Sequence, residues 1–268
     1  MTNHPYLTLL IIDPQNDFVH RDGSLAVAGA EEDAARLARL IEGASDRISA
    51  VSVSLDSHQR FDISHPIWYF DDQGQAPEPF SVITADDLKS GRWRVRPEVE
   101  ARTFHYLETL EERGRYPHVI WPEHCLIGSE GHGIYPIIQD ALHQWASRPA
   151  RVDYIFKGQN PFTEHFSAVE AEVPDPQDTN TQTNQALIQR LQESDQVWVA
   201  GWARSHCVGN TLYDLFRIGG RALAEKTTLV ADAMSDVPGF TEQGEAVTET
   251  SRSWGARVAS VDDLLRQG

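Results

Sequence analysis

Short apolar runs recur along this chain, each followed by a segment with apolar residues at helical spacing, and that alternation leaves few architectures open. Residues 7–12 form an apolar run that stops at Asp13-Pro14, where a residue preceding proline is biased to extended backbone. Residues 31–42 then place Ala34, Leu37, Ala38 and Ile41 on one helical face. Residues 48–55 supply a second strand ending at Asp56, residues 134–145 a helix, and residues 152–156 a strand that delivers Lys157. Residues 182–192 read as helix and 197–200 as a buried strand. The glycine-led turn 201–205 leads into a helix beginning near Cys207. Residues 222–230 and 257–259 read as the last two strands, with helices after Thr241 and over 261–266. Strands buried on both faces and alternating with helices predict an α/β fold, a doubly wound, mostly parallel six-stranded sheet with helices on both faces. At 268 residues a single domain is expected. Between 59 and 117 the periodicity fails among Pro66, Pro77, Pro79 and Pro97, so this stretch reads as an insertion or lid carrying a helix over about 99–113.

Charge narrows the partners. With 23 basic against 40 acidic residues, the formal charge of -17 argues against nucleic acid, whose phosphates need a basic surface. No segment approaches the roughly 20 apolar residues that span a bilayer, and residues 1–6 lack a basic stretch followed by an apolar run. Two cysteines in unlike contexts, Cys125 and Cys207, are no disulfide framework. A cytoplasmic protein with reduced thiols and no membrane partner is expected.

Open α/β sheets bind ligands outside the carboxyl ends of their strands, and four polar features fall there: Asp13, Asp56, Lys157 and the 201–207 turn. Taken alone, Cys207 would be a small buried residue. Its setting, Gly201-Trp202-Ala203-Arg204-Ser205-His206-Cys207, instead suits a nucleophile at a helix start, where backbone N–H groups form an oxyanion hole. Lys157, aimed by Gly158, would bring the thiol below its usual pKa of about 8.5. Asp13, otherwise a strand cap, would take and return the proton. Asp56 and His58 offer a carboxylate and an imidazole for a divalent metal, with His124 or His65 as the second imidazole. His4, His20, His105, His118 and His143 read as ordinary surface or packing residues, and Cys125 as a structural thiol.

Taken together these residues resemble the isochorismatase-like cysteine hydrolases, and within them the nicotinamidase branch. The segments that carry the resemblance are Asp13-Pro14-Gln15-Asn16-Asp17-Phe18, Asp56-Ser57-His58, Trp121-Pro122-Glu123-His124-Cys125, Lys157-Gly158 with Glu164-His165-Phe166-Ser167-Ala168, and residues 201–208. The resemblance implies a catalytic Asp13, Lys157 and Cys207, with metal ligands Asp56, His58 and His124. It also implies a cis peptide at Trp202-Ala203, oxyanion donors at Ala203 and Cys207, and substrate contacts from Phe18 and Trp202. The implied cofactor is one divalent ion, zinc first, with manganese or iron as alternatives. The implied reaction converts a small, nicotinamide-like carboxamide to its acid and ammonia through a thioester, in a homo-oligomer.

The chain departs from the branch in three places. His58 and His124 stand 66 positions apart, 62–66 matches the post-ligand pattern loosely, and Trp202 replaces a smaller residue. Three rival readings follow: a metal-free amidase or carbamoyl hydrolase of the same superfamily, a vinyl-ether hydrolase that leaves Cys207 idle, and an inactive homologue acting as an oligomeric interaction module.

Overall fold

The computed structural model describes residues 5–114 and 116–267, so the reading of residues 1–6 falls largely outside the described residues, as does His4. Six strands, β1 (Leu7–Ile12), β2 (Ile48–Asp56), β3 (Val152–Lys157), β4 (Gln196–Gly201), β5 (Thr227–Val230) and β6 (Arg257–Ala259), form one parallel sheet in the order β6-β5-β4-β1-β2-β3. The chain starts at the centre, winds outward to β3, and resumes on the opposite side of β1 with β4. The switch point between β1 and β4, where such sheets open a crevice, therefore lies between Asp13 and the 201–207 turn.

Strand periodicity divides the core. Leu9 and Ile11 face one apolar layer and Leu10 and Ile12 the other, all at 0% exposure, because successive side chains leave a strand on opposite sides. Helices α1 (Ala30–Gly43), α2 (Pro97–Arg113), α3 (Pro136–Trp145), α4 (Gln185–Glu193), α5 (Gly209–Lys226), α6 (Thr241–Trp254) and α7 (Val261–Arg266) follow. α1 packs on α3 and α7, with Leu37, Ala38 and Ile41 in the first layer; α5 packs on α4 and α6, with Leu212, Leu215 and Phe216 in the second. Burying each such side chain stabilises by about 1.5–3 kcal/mol before entropy is counted.

One local expectation is corrected. The strand expected over 222–230 is only Thr227–Val230, because beyond a kink at Gly220 the helical path of α5 resumes and runs to Lys226: Ala222, Leu223, Ala224, Glu225 and Lys226 are strong helix formers, and Leu223 and Ala224 are buried in the second layer. The helix expected near Cys207 begins at Gly209, and Cys207 itself lies in the π-helical turn, Arg204–Val208, that leads into it.

Residues 59–117 build a small core of their own. Two antiparallel ribbons, Tyr69–Phe70 with Arg94–Val95 and Val82–Ile83 with His118–Val119, close over Ile63, Trp68, Tyr106, Leu107 and Leu110. α2, which starts at Pro97 where a missing N–H costs nothing, supplies Val99, Tyr106, Leu107 and Leu110 to that core. Among the described residues no helix is long and apolar enough to cross a membrane.

Candidate active site and metal centre

Register alone sets the first contact. β2 and β3 pair so that Asp56 stands directly across from Lys157, the last residue of each strand. Gly158 follows with φ +78, and a Cβ there would come within 2.9 Å of Asp56 Oδ1, so the turn after Lys157 needs glycine. Asp13 follows β1 with a left-handed φ of 46°, and its Oδ1 accepts the Ser54 hydroxyl at 2.6 Å. The 201–207 turn leaves β4 at Gly201, where a Cβ would sit 2.0 Å from the Ile12 carbonyl oxygen.

These ends converge on one ammonium. Lys157 Nζ lies 2.9 Å from Asp13 Oδ2, 3.0 Å from Asp56 Oδ1 and 3.6 Å from Cys207 Sγ. Lys157 is 1% exposed and Asp13 0%, so the pair is withdrawn from bulk solvent. Burial pushes the Lys157 ammonium down, but Asp13 and Asp56 outweigh it and hold its pKa well above the usual lysine value. For Asp13, burial outweighs Lys157 and raises the carboxyl. For Asp56, Lys157 and then His58 outweigh burial and hold the carboxylate well below its usual range.

The expected depression of the Cys207 thiol is corrected. Burial is the largest influence and raises its pKa well above the ordinary value. Lys157 pulls it down, and Asp13 and Asp56 push it back up. The buried sulfur thus keeps its proton beside the carboxyl of Asp13 in the resting site.

Asp56 faces the other way with its second oxygen. Oδ2 lies 3.2 Å from His58 Nε2 and 3.5 Å from His124 Nε2, and ligand atoms of all three residues fall within 4.8 Å of one another. His124 Nδ1–H donates to the Pro122 carbonyl at 2.8 Å and His58 Nδ1 lies 3.1 Å from Asp62 Oδ2. Each Nε2 is therefore left facing the carboxylate, a donor set that fits a divalent ion such as zinc. Without an ion, Asp56 and Asp62 outweigh burial and hold His58 well above the usual imidazole value. His65 lies tilted against His58 at 5.1 Å and edge-on to His124 at 5.6 Å, yet it does not join the ligand group. A second acidic group, Asp13, Asp56 and Cys207, surrounds Lys157 Nζ, which already fills that position.

Cys207, Ala203, Asp56, His124 and Phe18 all line one narrow cavity of about 20 Å³, room for about one water, so a ring-sized ligand needs its aromatic walls to part. Trp202 and Ala203 are joined by a cis peptide. Among the described residues no acceptor takes the Ala203 N–H. The expected substrate contact from Trp202 is corrected: its indole is 0% exposed in the first core layer and does not line the cavity.

Other walls went unread in the sequence. Leu25, Trp121, Phe166, Val237 and His206 complete the apolar lining, with His206 ringed by Phe240 at 4.7 Å, Trp121 at 5.3 Å and Tyr116 at 5.5 Å. Burial alone lowers the His206 pKa to about 4, so it is a neutral ring here. Glu164 also lines the cavity and accepts the Trp121 indole N–H at 2.9 Å, and burial raises its pKa to about 8. Its place one residue before the His-Phe-Ser-Ala stretch was visible, but its direction was not. Cys125 is buried, and its backbone N–H donates to Asp17 Oδ2 at 2.6 Å. His118 is likewise interior, while His20, His105 and His143 are exposed.

No family model matches the chain. It is 27% identical to the nicotinamidase of Escherichia coli strain K12 over 222 residues, which is 80% of this chain and 78% of that protein. Its fold matches a yeast nicotinamidase bound to the inhibitor nicotinaldehyde, with a TM-score of 0.67 at 21% identity over 95% of this chain and 99% of that one. An Acinetobacter nicotinamidase/pyrazinamidase matches equally, at 0.67 and 22% identity over 98% and 100%. A Pyrococcus horikoshii pyrazinamidase in complex with zinc matches at 0.57 and 18% identity over 96% and 99%. In sequence the chain is thus similar to a nicotinamidase, and in fold to nicotinamidases and pyrazinamidases.

Proposed function

We propose that the chain is a metal-containing cysteine amidohydrolase that converts a small heteroaromatic carboxamide, of the nicotinamide type, to its acid and ammonia. One observation carries this reading: Lys157 Nζ bridges Asp13 and Asp56 and touches Cys207 Sγ, while Asp56, His58 and His124 turn a ligand set toward the same cavity.

The chemistry follows from the positions. Asp13 takes the thiol proton as Cys207 Sγ attacks the carboxamide carbon, and the Lys157 ammonium holds the resulting charges together. The N–H groups of Ala203 and Cys207 receive the developing oxyanion. Asp13 returns the proton to the departing amine, and ammonia leaves a thioester on Cys207. Asp13 then takes a proton from the attacking water, and the acid departs as the thiol reforms. A divalent ion on Asp56, His58 and His124, zinc first, would supply a Lewis-acid anchor for a ring nitrogen. Phe18, Trp121 and Phe166 would pack the ring, and the 59–117 insertion, which leads into Trp121, would act as its lid.

The test is a panel of amides assayed for ammonia release. Nicotinamide and pyrazinamide should exceed acetamide and propionamide in kcat/KM by about 100-fold or more, since a buried polar anchor is lost without its partner. Chelation of the metal should raise KM for nicotinamide most. Preference for linear amides, insensitive to chelator, would favour the metal-free amidase or carbamoyl hydrolase instead.

A further inference from the structure

The loop after β2 carries a carboxylate to which the proposed chemistry gives no role. Asp62 is 0% exposed, and its oxygens are divided between two tasks. Oδ1 accepts the Ser64 N–H at 3.0 Å and the Ser64 hydroxyl at 2.8 Å, while Oδ2 lies 3.1 Å from His58 Nδ1. The His65 N–H donates to the Asp62 carbonyl oxygen at 3.0 Å, closing the turn. A carboxylate pinned on one oxygen cannot swing away from its imidazole. It faces Nδ1 while Nε2, the atom 3.2 Å from Asp56 Oδ2, faces the ligand set, so the proton retained when an ion takes Nε2 would be the one on Nδ1.

The insertion's core explains why the turn is rigid. Ile63, next to Asp62, packs with Trp68, Tyr69 and Tyr106. Its N–H donates to the Pro161 carbonyl at 2.9 Å, and its carbonyl oxygen accepts from His118 Nε2 at 3.0 Å. His118 Nδ1 in turn lies 3.3 Å from Tyr106 Oη. Burial lowers the His118 pKa to about 4, so this relay stays neutral.

Resting on the metal reading above, we propose that Asp62 is a positioning residue of the metal centre, orienting the His58 imidazole for coordination through Nε2. It does not touch substrate or ion. Its contribution is to hold the ring's rotation and to keep the proton on Nδ1 once an ion displaces the one on Nε2.

The experiment compares wild type, Asp62→Ala and Asp62→Asn. Three readouts are the Zn²⁺ dissociation constant by competition with a chromophoric chelator, the ligand-field spectrum of the Co²⁺-loaded protein, and the thermal midpoint with and without Zn²⁺. Asp62→Ala should weaken Zn²⁺ binding by about 10- to 100-fold and alter the Co²⁺ bands. Asp62→Asn, whose amide oxygen still accepts from Nδ1–H, should fall between the two. The metal-induced rise in midpoint should shrink in step with affinity. A merely structural Asp62 would lower the metal-free midpoint while leaving the dissociation constant and spectrum unchanged, and that result overturns the proposal. Should Asp62→Ala fail to fold, Asp62→Asn decides alone: weakened binding supports the role and wild-type binding overturns it. A wild type that binds no Zn²⁺ or Co²⁺ removes the metal reading itself, and the positioning role with it.

Discussion

Cys207→Ala is expected to lower kcat for every amide the protein hydrolyses by at least about 10⁴-fold, while metal binding and thermal stability stay near wild type. The size follows from the role, since removing the nucleophile of a covalent mechanism costs far more than removing a binding contact. The small effect on stability follows from packing. Cys207 is 6% exposed at the cavity wall, and alanine removes one sulfur from a surface that already borders open space. Ammonia release under saturating substrate checks it, and a variant with more than about a tenth of wild-type kcat would rule out covalent catalysis through this sulfur.

Lys157→Met should have the largest effect on stability. Methionine matches the lysine stem, but it leaves Asp13 and Asp56 buried without their shared countercharge, 2.9 and 3.0 Å from where Nζ stood. Stranding buried charge in this way costs about 3–5 kcal/mol. At about 2–4 °C per kcal/mol for a chain of this size, the thermal midpoint should fall on the order of 10 °C. The pH dependence has a definite sign. In wild type the Asp56 carboxylate is depressed, so its contribution is present above its unfolded pKa and lost as pH falls. In the variant Asp13, already raised by burial, loses the opposing pull of Lys157 and is raised further, so its contribution is greatest below the unfolded pKa and lost as pH rises through the folded value. The gap between the proteins should therefore narrow toward acid. Thermal melts from pH 4 to 8 in chelator would show it, and a gap independent of pH would mean that Lys157 does not compensate these two carboxylates.

How much of this was legible in the sequence depended on the range of the interaction. Asp13, Asp56 and Lys157 could be placed because each ends an apolar run, and in a parallel sheet strand ends gather at one rim. His124 was reachable only through its motif, since the whole 59–117 insertion separates it from His58 and no local pattern shows that the chain returns. Glu164, His206 and Leu25 were not legible as cavity walls, because their directions are set by contacts with distant segments: Glu164 with Trp121, His206 with Phe240 and Tyr116. Trp202 shows the converse error. Adjacent to the turn in sequence, it points its indole into the first core layer, and position in a motif does not fix side-chain direction. The thiol expectation failed for an energetic reason, since a charge count near Cys207 sees Lys157 but not the desolvation that outweighs it.

The proposed mechanism requires that the sulfur, where acid and ammonium meet it at the sheet's rim, becomes acylated. Rapid-quench mass spectrometry of the intact protein mixed with nicotinamide, followed by peptide mapping, tests this directly. One acyl group should appear on the peptide containing Cys207, rise within the first turnover and decay as substrate is exhausted. Turnover with no protein-bound acyl group at any quench time, or an acyl group mapped to another residue, would contradict the account.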